Sequence, residues 1–247
     1  HYSSRRQRQM CIRDRCQDYY SSANNCNLLD GVGQVGDGLA NGKNHASARY
    51  VFAKLSTLGR MIFKPVDDNI LPNQVEEGQT VQKEAYIGVV PMCLINGVIG
   101  IGLGYSTQIP PHNPVDVISN LRQKLNGGAF TEMVPYYRGF NGTIVKKTDT
   151  TFETHGVYRL NGKQLGITEL PIGTAFNDYV DNVLEKLVDK GVVKSYQNNS
   201  TVEHAQFNVN LVNEMAVADV SKTFKLTTSI STSNMVMFIG DRIKRYE

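Results

Sequence analysis

The sequence lacks an apolar run long enough to cross a membrane. A bilayer-spanning helix needs about 18 or more consecutive apolar residues, and no stretch of this 247-residue chain reaches that length. The first residues also lack the apolar core of a secretory signal. These absences predict a protein without a membrane segment.

Motifs for metal ions and nucleotides are missing as well. The histidines are scattered, with no H-x-x-x-H spacing and no grouping with cysteine, which excludes the common zinc motifs. The acidic pair Asp67-Asp68 is more typical of a solvated turn than of a metal site. Gly100–Gly104 does not follow the G-x-G-x-x-G pattern of a dinucleotide-binding turn, and no P-loop is present. We therefore predict no metal site and no nucleotide site in this chain.

The chain has four cysteines, and their spacing does not predict a set of disulfide bonds. Cys11, Cys16, Cys26 and Cys93 have neither C-x-x-C spacing nor a disulfide pattern. Reduced thiols in an intracellular protein are the simplest account.

Positive charge is concentrated in the first residues. The net charge is +3, and residues 1–15 carry five arginines against one aspartate, +4, which leaves −1 for the remainder. Attraction to nucleic acid would therefore depend on local clusters of Lys and Arg. The basic segment 1–15 could be a DNA-contacting or targeting arm. We favour a second interpretation, that it is not native, because it resembles translated sequencing-adaptor sequence.

The stretch Gly36–Leu55 has the most informative pattern. It begins with a glycine-rich loop whose backbone can approach another molecule closely, and Lys43 within it suits a phosphate. It continues into the pair Arg49-Tyr50, followed by apolar residues that could anchor the tyrosine ring while its hydroxyl stays accessible.

An accessible tyrosine beside an arginine suggests a nucleophile for a phosphodiester. A phenol, with an ordinary pKa of about 10, is a better leaving group than a sugar alkoxide, so a phosphotyrosine bond can form and reverse. Arg49 would neutralise charge that develops in the transition state. An ordinary surface arginine and a half-buried tyrosine would give the same short pattern.

Hydrophobic periodicity gives a coarse map of the elements. Helical spacing predicts helices over Tyr50–Phe63, Asn113–Leu125 and Thr174–Lys190. The run Asp30–Lys43 predicts a loop or a β-wing, and Asp67–Lys83 a polar loop. Strands are predicted at Ile87–Leu94, Thr143–Lys146, Val157–Leu160, Ile167–Leu170, Phe207–Val212, Phe224–Thr227 and Asn234–Ile239.

Longer motifs resemble the type IIA DNA topoisomerases over about residues 16–247. They occur in the order and roughly the spacing of that family, and their residues are most similar to those of its eukaryotic and large-DNA-virus branch. The motifs are NNCNLL (24–29), GKNHASARYVFAKLS (42–56), VDDN (66–69), VPMCLINGVIGIGLGYSTQIPPHNP (90–114), FNGTI (140–144), ITELP (167–171), FKL (224–226) and NMVMF (234–238).

The resemblance implies an α+β fold in two parts. Residues 16–85 would be the C-terminal part of a winged-helix domain that carries the nucleophilic tyrosine. Residues 86–247 would be a mixed α/β tower domain that supports bent DNA. We expect the chain to be a fragment, with residues 1–15 standing where the family has the recognition-helix half of the winged helix.

The resemblance also implies a function and its residues. The chain would be the breakage-reunion region of an ATP-hydrolysing type II DNA topoisomerase, which cleaves both strands, passes a second duplex and religates. Tyr50 would form a 5′-phosphotyrosine bond, and Arg49 would stabilise the transition state. Lys43 would contact the DNA backbone. Ile101, between flanking glycines, would wedge between base pairs and bend the duplex.

The implied cofactors are Mg²⁺ and ATP, in domains that we expect outside this fragment. The implied partners are double-stranded DNA and a second copy in a homodimer, with no membrane. The implied location is intracellular: nuclear in a eukaryotic cell, nuclear or cytoplasmic for a virus. Without the other domains, we expect the fragment to bind DNA weakly and to be inactive alone.

Two positions depart from the commoner family pattern, and one alternative function stays open. Ala48 stands where proline is frequent, and Asn44 where aspartate is usual, which leaves the local charge of the loop open. The alternative is a non-catalytic DNA-binding or DNA-bending module derived from a topoisomerase. The intact pair Arg49-Tyr50 favours the enzyme.

Overall fold

The computed structural model describes residues 12–102, 104–240 and 242–246. It is an α+β arrangement of short helices and small antiparallel sheets, as predicted. Residues 12–15 are helical, and the rest of the segment predicted to be non-native lies outside the described residues. Among the helices of the described ranges, none has the length and apolar character that crossing a membrane requires.

Six α-helical segments and fifteen strands are named here by their bounds. The helical segments are α1 (Thr57–Ile62), α2 (Met92–Ile95), α3 (Pro114–Leu125), α4 (Phe176–Tyr179), α5 (Glu185–Asp189) and α6 (Val217–Thr223). The 3₁₀ turns are Gly38–Ala40, Ala48–Tyr50 and Pro65–Asn69, and Val180–Leu184 is a π turn. The strands are β1 (Leu29–Val32), β2 (Phe52–Leu55), β3 (Asn73–Glu76), β4 (Gln79–Lys83), β5 (Val98–Ile101), β6 (Ser106–Ile109), β7 (Thr143–Thr148), β8 (Thr151–His155), β9 (Val157–Asn161), β10 (Gln164–Glu169), β11 (Val193–Asn198), β12 (Phe207–Leu211), β13 (Thr227–Ser231), β14 (Met235–Ile239) and β15 (Arg242–Tyr246).

The strands form two larger sheets and four ribbons within the described residues. The larger sheets have the orders β11-β12-β10-β9 and β13-β8-β7. The two-stranded ribbons are β1-β2, β3-β4, β5-β6 and β14-β15. Every one of these pairs is antiparallel.

The main core lies between the four-stranded sheet and the helical segment 176–189. In β12 the three apolar residues are buried and the two asparagines are exposed, the alternation of a strand with one solvated face. Tyr179 lies deep in this core, where its hydroxyl donates to the carbonyl oxygen of Phe224 at 2.9 Å and burial raises its pKa. The buried phenol finds the partner that such a group requires.

Two predicted helices are confirmed. α3 begins after Asn113, whose side chain accepts a hydrogen bond from the backbone N–H of Val115 at 2.9 Å, and Pro114 is its first residue, a favoured position. α4, the π turn and α5 together make the helix predicted at Thr174–Lys190.

The helix predicted over Tyr50–Phe63 is wrong. Phe52–Leu55 is strand β2, and only Thr57–Ile62 is helical. Ser56 separates the two, because its hydroxyl accepts from the N–H of Gly59 at 2.9 Å and caps a new helix. Pairing with β1 holds the preceding residues extended. Within Asp30–Lys43, residues 30–32 belong to β1 and the rest forms loops and turns, which agrees with the predicted loop or β-wing.

Three other local predictions are wrong in part or in full. Residues 87–91 have no regular structure, and α2 follows Pro91 in place of the predicted strand. The predicted polar loop Asp67–Lys83 contains the hairpin β3-β4, because Glu77 and Gly78 adopt the positive φ values (52° and 80°) of a tight turn. The strand predicted at Phe224–Thr227 begins only at Thr227, after helix α6.

A buried asparagine joins the two predicted domains. Nδ2 of Asn25 lies 2.9 Å from the carbonyl oxygen of Ile95, 3.1 Å from that of His112 and 2.8 Å from that of Tyr136. Its Oδ1 accepts from the backbone N–H of Arg138 at 2.8 Å. One side chain from the first predicted domain thus lies within hydrogen-bond distance of four backbone groups of the second, and its two N–H groups are shared among three carbonyl oxygens.

Candidate nucleic-acid interface

Tyr50 lies at the end of the short turn Ala48–Tyr50, with most of its surface in solvent. Its side chain is 64% exposed. The guanidinium carbon of Arg49 lies 5.5 Å from the centre of the tyrosine ring, within the range of a cation–π contact. The two predicted catalytic residues therefore lie together on an accessible surface.

The apolar residues after Tyr50 do not anchor its ring as predicted. Phe52 is 67% exposed and Leu55 is 43% exposed. Their strand belongs to a two-stranded ribbon, in which Val32 pairs with Phe52, and the described residues leave both side chains partly in solvent. The tyrosine is held by its backbone and remains free to reach a ligand.

The loop before Tyr50 is shaped by two glycines with positive φ. Gly36 has φ 106° and Gly42 has φ 78°, and a Cβ on Gly36 would lie only 2.3 Å from the carbonyl oxygen of Gly42. The side chain of Gln17 donates to that same oxygen at 3.1 Å. Gly36 is therefore required by the close approach of the loop backbone, and a Cβ on Gly42 would lie 2.5 Å from the amide of Gln17.

Asn44 closes the same loop against Asp37. Asn44 Oδ1 accepts from the backbone N–H of Asp37 at 3.0 Å, and its Nδ2 donates to Asp37 Oδ1 at 2.8 Å. An aspartate at position 44 would offer no donor for this second bond. Asn44, which stands where the family more often has aspartate, therefore forms two hydrogen bonds with Asp37.

Lys43 is exposed beside a groove of about 590 Å³. Arg13, Asp14 and Arg15, from the segment interpreted as not native, also line this groove, and Arg13 Nη1 lies 3.0 Å from His45 Nδ1. Outside that segment, Lys43 is the one Lys, Arg, Asp or Glu that lines the groove among the described residues, and an exposed cation favours a polyanion.

The hairpin β5-β6 also lines the groove. Its contribution includes Ile99 and Gln108, a cross-strand pair. Tyr137 lines the groove as well, and burial raises its pKa to about 12, so this phenol adds no charge. The hairpin residues and Tyr137 therefore leave the charge of the lining unchanged.

Ile101 lies next to the turn of this hairpin and is 92% exposed. Residues 98–101 pair with residues 106–109, so the side chain projects from a fixed backbone. Asn234 braces the hairpin: its Nδ2 donates to Ser106 Oγ at 2.9 Å, and its carbonyl oxygen accepts from Gln108 N at 2.8 Å. The braced hairpin presents Ile101 to solvent.

Acidic residues do not gather around this interface. Within residues 12–102, 104–240 and 242–246, no group of three or more His, Cys, Asp and Glu side chains could hold a metal ion. Asp67 and Asp68 lie in the first turn of the 3₁₀ segment Pro65–Asn69. The described residues of this chain therefore do not by themselves provide a full ligand set.

Comparison with known proteins identifies the family. The family model for the A-type subunit of DNA gyrase/topoisomerase IV matches residues 11–247. The chain belongs to this family.

Curated relatives of this topoisomerase-family chain are type II enzymes. It is 41% identical over 220 residues to the mitochondrial DNA topoisomerase 2 of Dictyostelium discoideum, covering 86% of this chain and 17% of the relative. It is 41% identical over 237 residues to DNA topoisomerase 2 of Arabidopsis thaliana, covering 90% of this chain and 16% of the relative. The chain thus spans less than a fifth of the length of these relatives.

A solved structure shares the fold. The DNA-binding, cleavage and re-ligation domain of Plasmodium falciparum topoisomerase II superposes with a TM-score of 0.86 and 36% sequence identity, over 96% of this chain and 33% of that one. The α+β fold predicted for this topoisomerase-family chain is therefore confirmed.

Three residues of the interface were missed by the sequence-based prediction. Ile99 gave a usable signal, since it stands two residues before Ile101 on the same strand. Asn25 and Asn234 lie within motifs that carry the family resemblance, but their hydrogen bonds join segments far apart in the chain. No local pattern in the sequence reveals such partners.

Proposed function

We propose that this chain is the DNA breakage-reunion region of a type II topoisomerase. The observation that carries the proposal is the exposed Tyr50 with the Arg49 guanidinium 5.5 Å from its ring centre, in a chain of this family. Exposure is what a nucleophile for a macromolecular substrate requires, and the adjacent cation suits a phosphate.

The reaction at Tyr50 is a transesterification. The phenolic oxygen forms a bond to the scissile phosphorus, the bond from phosphorus to the 3′ oxygen breaks, and the phenol proton is exchanged for one on the leaving 3′ hydroxyl. The product is a 5′-phosphotyrosine, and religation is the reverse step. Arg49 stabilises the additional negative charge of the transition state. Because one ester replaces another, cleavage and religation need no external energy source.

DNA contacts both Lys43 and the hairpin β5-β6. Lys43 binds phosphate oxygens, and the release of counterions from the DNA favours this binding. Ile101 enters a base-pair step from the hairpin, and the flanking Gly100 and Gly102 let the backbone come close. The bend created by this wedge presents the scissile phosphate to Tyr50.

The whole protein needs more than this chain. We propose that other parts of it hold Mg²⁺, which supplies Lewis-acid stabilisation of the scissile phosphate, and ATP. We propose a homodimer, since cleavage of two strands needs two tyrosines, and no membrane partner. The proposed location is intracellular: nuclear in a eukaryotic cell, and nuclear or cytoplasmic for a virus.

Replacement of Tyr50 by phenylalanine tests the covalent step. The change removes one hydroxyl from a mostly exposed side chain, so folding and non-covalent DNA binding are expected to survive while covalent capture is lost. The measurement is detergent trapping of protein–DNA adducts, with residues 16–247 placed in a full-length type II topoisomerase of the family.

Tyr105→Phe is the matched control, because Tyr105 is also exposed, at 58%, and lies beside the hairpin turn. It should leave adduct formation unchanged. An adduct that persists in Tyr50→Phe would show that another residue is the nucleophile. DNA bending without any adduct from the unmodified segment would instead favour a non-catalytic bending module.

A further inference from the structure

Hairpin β5-β6 exposes a second isoleucine besides Ile101. Ile99 is 79% exposed. Residues two apart on a strand point to the same face, so Ile99 and Ile101 form an apolar row on one side of the hairpin. Neighbouring exposed apolar side chains of this size mark interaction sites more often than isolated ones do.

The other face of the hairpin is already occupied by the protein. Ile109 is buried, at 3% exposure, and Thr107 Oγ1 accepts from the backbone N–H of Val236 at 3.0 Å. The face of the hairpin that carries Thr107 and Ile109 therefore packs against the protein. The face that carries Ile99 and Ile101 points to solvent.

We propose that Ile99 is a second DNA-contacting side chain, which lies in the minor groove against base pairs next to the step that Ile101 opens. This inference rests on the proposed function. Because strand side chains project perpendicular to the sheet, a hairpin that directs Ile101 at a duplex directs Ile99 at it too. Residues two apart are separated by about 6.6 Å, which corresponds to about two base-pair steps of 3.4 Å.

The groove beside the hairpin supports this placement. Ile99 lines the same groove as Lys43, so a DNA backbone that meets the lysine in this groove also passes close to the isoleucine. An apolar side chain gains nothing from phosphates, but it packs well against the sugars and base edges of a minor groove. In this arrangement Lys43 contacts the phosphates and Ile99 contacts the bases.

The position of Ile99 has a consequence for sequence preference. In the minor groove a G·C pair displays the N2 amino group of guanine, and an A·T pair does not. An isoleucine against that amino group would crowd it and leave it without an acceptor. Ile99 is therefore expected to disfavour guanine about two base pairs from the wedged step.

A duplex that varies only this amino group tests the inference. The probe is a duplex of about 30 base pairs with one central TA step, a flexible step that accepts a wedge, flanked by G·C pairs or by inosine·C pairs, which lack the amino group. The full 247-residue chain is titrated at low salt, and fluorescence energy transfer between the duplex ends reports binding and bending.

The variants separate the two isoleucines. The unmodified chain should prefer the inosine duplex, and Ile99→Ala should lose most of this preference and about tenfold in affinity for that duplex, the scale expected when an apolar contact is removed. Ile101→Ala should lose bending on both duplexes. Leu125→Ala is the matched control: Leu125 is 86% exposed, and its helix α3 contributes no residue to the groove.

Two outcomes would overturn the inference, and they differ. If the unmodified chain, shown to be folded by circular dichroism, binds the duplexes at low salt but bends none of them, the proposed function fails and the inference fails with it. If Ile101→Ala loses bending while Ile99→Ala keeps the affinity and the inosine preference, the proposed function stands and Ile99 has no role in contacting DNA.

Discussion

Tyr50 is reachable because its neighbours pack poorly. Tyr50 and Phe52 are largely in solvent and Leu55 is partly so, at a cost in hydrophobic stabilisation that a core position would not carry. The contact with Arg49 recovers only a small part, since an exposed cation–π pair is worth about 0.5–1 kcal/mol. The arrangement therefore favours access over stability at this residue.

Removal of the Arg49 guanidinium should affect chemistry more than binding. In Arg49→Ala, placed in the full-length enzyme of the family, cleavage is expected to slow by about 10²–10³-fold, the scale for loss of one transition-state donor. DNA affinity should fall much less, because Lys43 contributes a second exposed cation to the proposed interface. The measurements are the rate of adduct formation and the dissociation constant for the same duplex.

Two control variants separate charge from position. Arg49→Lys keeps the charge but loses the planar fork of donors, so it should recover only part of the rate. Arg60→Ala removes an exposed charge from helix α1 and should leave the rate unchanged. Equal losses of affinity and rate in Arg49→Ala would assign Arg49 to binding alone.

Much of this residue-level picture was available from the sequence, but not all of it. Arg49 and Tyr50 are neighbours in the sequence. The structure places both residues in solvent, and it does the same for Lys43 and Ile101. The roles of these four residues stay predictions. The exposure of Phe52 was not predictable, because an apolar residue beside a tyrosine fits a buried helix equally well. Only the ribbon pairing of its strand decides between them.

At the scale of elements, the hairpin β5-β6 depends on a distant segment. The Asn234 side chain and backbone both bond to β6, and the next residues form β14. The hairpin alone would be a marginal two-stranded ribbon. Its stiffness, and with it the direction of Ile101, therefore depends on the chain more than a hundred residues later.

Asn234→Ala should weaken DNA bending without removing the wedge. The variant loses the bond from Nδ2 to Ser106 but keeps the backbone bond to Gln108, so the hairpin should become more mobile and binding to bent DNA about two- to tenfold weaker, in line with one hydrogen bond. Energy transfer between duplex ends measures the change.

The neighbouring Ser233→Ala is the matched control. Ser233 Oγ bonds to Ser231 Oγ at 2.8 Å, a contact confined to its own loop, so this variant should bend DNA normally. An unchanged bend in Asn234→Ala would mean that the hairpin is stiff without this brace.

Elements with a strong local signal were predictable, and those set by pairing were not. Helix α3 has its cap, its proline and its apolar spacing in consecutive residues, and the prediction was confirmed. Strand β2 was predicted as helix, because apolar spacing over a few residues fits either period until a partner strand is known. Hairpin β3-β4 was missed, since each strand has a single apolar residue, Val75 or Val81, among polar ones and gives no clear alternation.

At the scale of the whole molecule, Asn25 holds the two predicted domains together. Its four partners come from three separate stretches of the second domain. Truncation of the side chain would leave buried carbonyl and N–H groups without partners, each at a cost of about 1–3 kcal/mol.

Asn25→Ala should therefore lower the free energy of unfolding by about 3 kcal/mol or more. Thermal and urea unfolding of the chain measure the loss. Asn27→Ala is the matched control from the same motif: the Asn27 Oδ1 makes one long contact of 3.4 Å to exposed Arg138 Nη2, so its loss should cost well under 1 kcal/mol. Equal stability of the two variants would contradict the role given to Asn25.

The hydrogen bonds of Asn25 also bear on how the two predicted domains can move relative to each other. Asn25 contacts backbone groups from three separate stretches of the second predicted domain. In the proposed homodimer, a relative movement of the two predicted domains would first have to break these hydrogen bonds.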